Sequence, residues 1–205
     1  MPLFLLIRHG ENEYVKKGRI AGRQPGVHLN DKGRAQAQAL AEKLADAPVK
    51  AIYSSPLERA LETAQPIAAR LGLEVVQREG LTELDMGDWT EQKVKGLARL
   101  KAWKTVQQTP SRMTIPGGES FVQAQFRITQ ELDWLAAQHA EKEILVCVSH
   151  SDPIKLAVAY FLGLSLDLFQ RMQVAPASIT ALTIGEAGSR LLTLNYDLSF
   201  SLSKS

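Results

Sequence analysis

The chain has 205 residues, of which 45% are hydrophobic and 22% are charged, and its formal net charge is +2. A chain of this size and composition can bury most of its apolar surface, so we expect one domain over residues 1–205. The nearly balanced charge excludes the strong single-sign field typical of proteins that bind nucleic acid or membrane surfaces. The one cysteine, Cys147, rules out an intramolecular disulfide, and a reducing cytoplasm is the expected location.

Short apolar runs predict strands that are buried on both faces. These runs are Leu3–Ile7, Ala51–Ser54, Ile144–Val148 and Ile179–Ile184. A weaker strand candidate is Leu73–Gln77, and a late one is Arg190–Asn195. The first run is too short for a signal or membrane segment, so we interpret it as a strand.

Helical patterns separate these runs, at Asp31–Ala47, Leu57–Leu71, Phe121–His139 and Pro153–Leu162. Strands that alternate with helices predict an α/β fold, a three-layer sandwich in which helices flank a mostly parallel central sheet. Ligands in such folds bind at the carboxyl ends of the strands. The segment 85–118 contains Trp89 and Trp103 but no strand pattern, and we expect a helical, lid-like insertion there.

The motif Arg8-His9-Gly10-Glu11 follows the first predicted strand. A histidine at a strand end is held on a rigid element, and the Arg8 guanidinium presents a planar fork of donors that suits phosphate oxygens. His9 is therefore a candidate nucleophile for phosphate transfer. For this tetrapeptide alone, a surface turn without a chemical role is an equal alternative.

A second motif, Tyr53–Ala64, runs from a strand end into a helix and carries Arg59 in the first helical turn. Helix N-termini favour anions through their free amides and their dipole. Arg59 is therefore expected to face the same end of the sheet as His9. The alternative is a surface arginine that pairs with Glu58 or Glu62.

A third motif places His150 just past a buried strand, where Asp152 and Pro153 open the next helix. His150 at this place could donate a hydrogen bond to a transferring phosphoryl group. A lone histidine is more often structural. A second histidine at the position equivalent to His9 weakens that alternative.

Three carboxylates, Glu83, Asp85 and Asp88, follow a weaker strand candidate. A carboxyl group near an anionic site has a raised pKa and is a plausible proton donor near neutral pH. The residue pattern does not choose among the three.

Motifs of several other chemistries are missing from the sequence. It has no HExxH motif, no paired cysteines and no carboxylate cluster with ligand spacing, so we expect neither a metal nor a cofactor. It also lacks a Walker-type loop, a GxGxxG motif and a GxSxG elbow. Cys147 is not a phosphatase thiolate of the Cys-x5-Arg type, because the sixth residue after it is Pro153.

The order of the motifs resembles the histidine phosphatase superfamily, whose fold is phosphoglycerate-mutase-like. The motifs are RHGE, LNDKGRAQAQALAEKL, SSPLERALETA, LTELDMGDW, PGGES and VSHSDPI, within a resemblance that spans residues 3 to about 194. The resemblance implies that His9 accepts the phosphoryl group and forms a phosphohistidine. It implies Glu83 as the proton donor, which separates that residue from Asp85 and Asp88.

The resemblance also implies a set of substrate-binding residues. Arg8, Arg59 and His150 would line the phosphate pocket, and we expect further contacts from Asn12, Arg23 and Ser151. Family members commonly carry Trp and Asn where this chain has Tyr14 and Val15. Because that Asn usually helps to bind phosphate, Asn12 is the candidate to replace it.

Two activities within the family, phosphomutase and phosphatase, use this same set of core residues. The glycolytic mutases are longer and carry extra arginines in their insertion, whereas the segment 85–118 is short and lacks an Arg-Arg pair. It resembles the small phosphatases, including the α-ribazole-phosphate and broad-specificity types. We therefore expect a metal-independent phosphomonoester hydrolase acting on a small phosphorylated metabolite, with a phosphomutase as the alternative.

A different class of function is a phosphate-binding domain that has lost catalysis. The presence of His9, Glu83, His150 and both pocket arginines argues against it. The sequence does not identify the substrate or the oligomeric state. It also leaves open whether the basic segment from Lys93 to Lys104 is a solvated helix face or a lid that steers anionic substrates.

Overall fold

The computed structural model describes residues 1–186 and 188–198. Within these residues, six strands form one sheet in the order β3-β2-β4-β1-β5-β6. The strands are β1 (Leu3–Arg8), β2 (Val49–Ser54), β3 (Val75–Gln77), β4 (Ile144–Ser149), β5 (Ile179–Thr183) and β6 (Arg190–Tyr196). The first four strands pair in parallel, and β5 runs antiparallel to β1 and β6. The predicted mostly parallel sheet is confirmed.

Helices cover both faces of this sheet. They are α1 (Glu13–Lys16), α2 (Asp31–Lys43), α3 (Glu58–Leu71), α4 (Val94–Leu97), α5 (Lys101–Gln108), α6 (Phe121–Gln138) and α7 (Ser151–Phe161). Local signals explain their ends: the Asn30 side chain accepts from the Gly33 amide at the start of α2, and Gly72 ends α3 in the left-handed conformation. Helix α2 ends earlier than the predicted Ala47, because the chain turns after Leu44 towards β2.

The alternating side chains of β1 show why its apolar run is continuous. Phe4 and Leu6 belong to the core beneath α6 and α7, whereas Ile7 belongs to the core beneath α2 and α3. Because helices cover both faces, a central strand needs apolar residues on both sides. The predicted three-layer α/β fold is therefore confirmed.

The segment 85–118 contains α4, α5 and two short 3-10 helices, Gly87–Trp89 and Pro110–Arg112. Trp89 and Val106 join the core beneath α6 and α7, and the rings of Trp89 and Trp103 lie 5.8 Å apart. The basic residues Lys93, Lys95, Arg99, Lys101 and Lys104 are all exposed. In the part of the chain that the structure describes, no helix is both long enough and apolar enough to cross a membrane.

Candidate active site

The two strand-end histidines lie side by side. Strands β1 and β4 are parallel neighbours in which Arg8 pairs with Ser149. The residues that follow, His9 and His150, therefore leave the sheet at the same edge. The ring centroids of His9 and His150 are 5.2 Å apart, and both side chains are buried. The edge where they meet is the one at which ligands of α/β proteins bind.

The hydrogen bond of His9 defines its tautomer. Its Nδ1 lies 2.7 Å from the Gly10 carbonyl oxygen, and because a carbonyl only accepts, Nδ1 carries the hydrogen. Burial lowers the pKa of His9 well below its usual value, and the charges of Arg59 and Arg8 lower it further. The ring is therefore neutral near pH 7, with a lone pair on Nε2.

Arg59 lies in the first turn of α3 and is 1% exposed. Its Nη2 donates to the Gly22 carbonyl oxygen over 2.7 Å, but its Nε and Nη1 have no partner among the described residues. The predicted alternative, pairing with Glu58 or Glu62, is wrong, because these carboxylates accept from the backbone amides of residues 26 and 29. Burial lowers the pKa of Arg59, against the opposing charges of Glu83 and Glu58, and its guanidinium stands close enough to lower the pKa of both histidines.

Arg8, Asn12 and His150 each leave one further buried nitrogen unpaired within the described part of the chain. Arg8 Nη1 donates to the Val174 carbonyl oxygen over 2.7 Å, and Arg8 Nε is unpaired. The Asn12 side chain accepts from the Val15 amide through Oδ1, and Nδ2 is unpaired. Buried polar groups in proteins are normally paired, so this concentration of nitrogens with spare capacity marks a site for an anion.

The His150 ring is held by Ser55. Its Nε2 lies 2.8 Å from the Ser55 Oγ, while the unpaired Nδ1 lies 3.9 Å from the Glu83 Oε2. The pKa of His150 is well below its usual value, because of burial first and then the charge of Arg59. Its ring is therefore neutral as well. If Ser55 donates its hydroxyl hydrogen to Nε2, the remaining hydrogen of His150 is on Nδ1.

Glu83 differs physically from the other two candidate carboxylates. Its side chain is 14% exposed, and burial together with the charge of Asp152 raises its pKa to about 7, against an opposing effect of Arg59. Asp85 instead accepts from the Gly87 amide, and Asp88 is exposed. A carboxyl group that is protonated near neutral pH suits a proton donor, so the raised pKa supports Glu83, whose role as the acid stays a prediction.

The other two predicted substrate-binding residues, Arg23 and Ser151, lie beside the residues of the candidate site along the chain or through hydrogen bonds. Arg23 donates through Nε to the Glu83 carbonyl oxygen over 2.8 Å and through Nη2 to Glu119 Oε2 over 3.0 Å. Its guanidinium therefore binds the protein, and contact with a substrate stays a prediction. Ser151 is the first residue of α7, directly after His150.

Sequence reasoning missed several residues of this region. Ser55 precedes Arg59 by four residues and Asp152 follows His150 by two, so their closeness in sequence to these candidates could have indicated them. Arg127, which binds backbone carbonyls up to 47 positions away, offered none. Among the residues that the structure describes, no group of three or more His, Cys, Asp or Glu side chains could hold a metal ion.

Comparisons with known proteins agree with this arrangement. The family model of the histidine phosphatase superfamily (branch 1) matches residues 4–197. Phosphoserine phosphatase 1 of Hydrogenobacter thermophilus is 30% identical over 200 residues, which cover 95% of this chain and 92% of that protein. The 2,3-bisphosphoglycerate-dependent phosphoglycerate mutase of Thermoplasma acidophilum is 31% identical over 196 residues, with coverages of 95% and 92%.

A solved structure gives the same result. The mycobacterial glucosyl-3-phosphoglycerate phosphatase superposes with a TM-score of 0.86 at 26% identity, covering 95% of this chain and 99% of that one. The predicted enzyme class, a histidine-type phosphatase, is confirmed by these matches, which also include a mutase. The chain belongs to the histidine phosphatase superfamily.

Proposed function

We propose that the chain hydrolyses a small phosphomonoester through a phosphohistidine formed on His9. The observation that carries this proposal is the cluster of unpaired buried nitrogens on Arg8, Arg59, Asn12 and His150, next to a histidine whose Nε2 has a free lone pair. A phosphate dianion would supply the acceptors and the negative charge that these groups lack.

In the first step, His9 Nε2 attacks phosphorus, and the bond from phosphorus to the alcohol oxygen breaks. The carboxyl group of Glu83 gives its proton to the departing oxygen. In the second step, a water molecule gives a proton to the Glu83 carboxylate while its oxygen attacks phosphorus. The phosphorus–nitrogen bond then breaks, which releases inorganic phosphate and restores neutral His9 and protonated Glu83. Arg8 and Arg59 stabilise the charge that is transferred in both steps.

We infer that the alcohol part of the substrate enters a cavity of about 230 Å³ that Asp152 lines together with residues of the segment 85–118, and its lining favours a hydrolase over a mutase. Trp89, Trp103 and Phe121 form much of its wall, and Asp152 is the charged residue among the described side chains that line it. The nearby Lys155 is already bound to Asp152 over 2.7 Å and to Gln170 over 2.8 Å. An acidic group of a phosphoglycerate would meet a carboxylate there rather than a free cation.

We further propose that residues 1–205 form one domain, in which the segment 85–118 closes the alcohol side of the site. Backbone hydrogen bonds join this segment to the loop that also supplies Gly22 to Arg59: Ile20 N donates to Gln92 O, and Val94 N donates to Gly18 O. The exposed basic residues of the segment support weak steering of anionic substrates. Relatives named for phosphoserine and glucosyl-3-phosphoglycerate support a small phosphorylated metabolite as substrate.

Hydrolysis of p-nitrophenyl phosphate in EDTA tests the proposal. We expect turnover by the native protein and a loss of about 10³-fold or more in His9→Ala, because the variant has no nucleophile. His139→Gln is the matched control, since the described hydrogen bonds of its side chain go to Tyr53 and Glu143 and to none of the pocket residues, and it should leave turnover unchanged. Activity that survives in His9→Ala would overturn the nucleophile assignment.

The phosphomutase alternative needs a separate assay. Activity on 3-phosphoglycerate is measured with and without a bisphosphoglycerate primer. We expect no isomerisation in either condition, together with release of inorganic phosphate from other monoesters. Primer-dependent isomerisation that exceeds hydrolysis would favour the mutase.

A further inference from the structure

Glu119, in the turn before α6, binds two arginines at once. Its Oε1 accepts from Arg127 Nε over 3.1 Å, and its Oε2 accepts from Arg127 Nη2 over 3.1 Å and from Arg23 Nη2 over 3.0 Å. The Asp85 amide donates to the same Oε2 over 3.2 Å. The carboxylate side chain is 13% exposed, so these bonds form largely away from water, where charge-assisted hydrogen bonds are strong.

Both arginines also bind the backbone that leads to Glu83. Arg127 Nη1 donates to the carbonyl oxygens of Gly80 and Thr82 over 2.9 Å and 2.8 Å, and its Nη2 reaches the Glu83 carbonyl oxygen at 3.4 Å. Arg23 Nε donates to the same Glu83 oxygen over 2.8 Å. The stretch from Thr82 to Met86 has no regular secondary structure, so side chains from elsewhere define its path.

The glycine turn of the PGGES motif brings Glu119 to this place. The Asp88 amide donates to the Pro116 carbonyl oxygen over 2.9 Å, and the Glu119 amide donates to the Asp85 carbonyl oxygen over 3.0 Å. A Cβ atom on Gly118 would overlap the Asp85 carbonyl oxygen, so the two backbones touch directly. Glycine is required because no side chain fits between them.

We propose that Glu119, Arg127 and Arg23 form a positioning network that holds the Glu83 carboxyl group in place for proton transfer to the leaving alcohol. The inference rests on the proposed role of Glu83 as the acid. None of the three needs to touch the reacting atoms, since they act through the backbone of residues 80–85. A displacement of about 1 Å at a catalytic group can lower a rate by about 10²-fold, so such a network has a measurable effect.

Glu119→Gln and Arg127→Lys test the network. Gln keeps the shape of Glu119 without its charge, and Lys keeps the charge of Arg127 without the planar fork. For an alkyl phosphate, whose leaving group needs a proton, we expect kcat/KM, which reports the steps up to release of the alcohol, to fall about 10–100-fold. For p-nitrophenyl phosphate we expect kcat/KM to fall less than about 3-fold, and inhibition by inorganic phosphate should not change.

Arg78→Lys is the matched control. Arg78 forms a similar ion pair with Glu131 on α6, over 2.6 Å, with side chains 29% and 12% exposed against 22% and 13% for Arg127 and Glu119. It does not bind the carbonyls of residues 80–83 in the described structure. We expect equal and small effects of this variant on both esters.

Four outcomes decide the inference. Equal losses on the two esters in Glu119→Gln and Arg127→Lys, or the selective loss in Arg78→Lys, would overturn it. Thermal unfolding of each variant identifies those that do not fold, and Arg23→Lys then takes their place in the assay. Glu83→Gln is measured in parallel. If its loss of activity is no larger for the alkyl ester than for the nitrophenyl ester, the acid assignment itself fails. If only Glu83→Gln shows the larger loss on the alkyl ester, the acid assignment stands and the positioning network fails.

Discussion

His9 and His150 face each other across the ends of two neighbouring parallel strands, with ring centroids 5.2 Å apart and ring planes at 59°. Burial and the charges of Arg59 and Arg8 lower the pKa of both rings, so two neutral imidazoles stand beside two arginines. Arg8 Nε and Arg59 Nε and Nη1 have no partner among the described residues, so these guanidinium groups keep donors for an anion. A phosphate between the rings would pair the arginines and allow one histidine to attack while the other donates.

The role of Glu83 predicts a dependence on the leaving group. Glu83→Gln removes the transferable proton but keeps the size of the side chain. We expect kcat/KM for an alkyl phosphate to fall by about 10²–10⁴-fold and kcat/KM for p-nitrophenyl phosphate to fall much less, since nitrophenolate leaves without protonation and this ratio excludes the later hydrolysis of the phosphohistidine. Steady-state assays with both esters measure the ratio, and equal losses would contradict the acid assignment.

The pH dependence follows from the same carboxyl group. Its pKa is about 7 because of burial and the Asp152 charge, so the protonated, active form is lost as the pH rises through that value. We expect kcat/KM for an alkyl phosphate to fall above about pH 7, since this ratio reports on the free enzyme. The lowered pKa of His9 keeps its lone pair available below pH 6.5, so its protonation should limit activity only under more acidic conditions. An alkaline limb that persists unchanged in Glu83→Gln would contradict this assignment.

Arg59 links phosphate binding to stability. A ligand that binds only the folded state at about 100 times its Kd stabilises it by about 2.7 kcal/mol. We expect inorganic phosphate to raise the free energy of unfolding of the native protein by that order and to have almost no effect on Arg59→Met. Urea unfolding with and without phosphate measures the difference. Arg70→Met is the control, because Arg70 is exposed and lies on the same helix, and this variant should respond to phosphate like the native protein. A phosphate response retained in Arg59→Met would be incompatible with the proposed pocket.

Gly33 of α2 packs directly against the backbone of Glu11 in the first motif. A Cβ atom on Gly33 would overlap the Glu11 carbonyl oxygen, so Gly33→Ala must displace either the helix or the segment that follows His9. We expect a loss of about 2–3 kcal/mol in the free energy of unfolding together with reduced turnover. Gly96→Ala in α4 is the control, because no atom lies within 4 Å of its added Cβ, and it should be neutral or slightly stabilising. A fully stable Gly33→Ala would contradict the close approach.

Local patterns were sufficient for most of the fold. The run Leu3–Ile7 predicted a buried strand, and β1 spans Leu3–Arg8 with helices on both faces. The helical pattern Leu57–Leu71 ends at the residue where α3 ends, and Gly72 follows it in the left-handed conformation. Histidines directly after two such strands could be foreseen as neighbours, because parallel strands end at one edge. These inferences depend on residues close together in the chain, where the sequence determines conformation directly.

Tertiary structure decided the electrostatics of the site. The three candidate carboxylates lie within one short segment: Glu83, Asp85 and Asp88. The family resemblance selected Glu83 among them without a physical reason. Packing supplies that reason: Glu83 is mostly buried beside His150, whereas Asp88 is exposed. The bonds from Arg127 to the backbone around Glu83 join residues 44–47 positions apart. Contacts at such separations leave no periodic pattern, so only the folded chain reveals which carboxyl group loses its water and what holds it there.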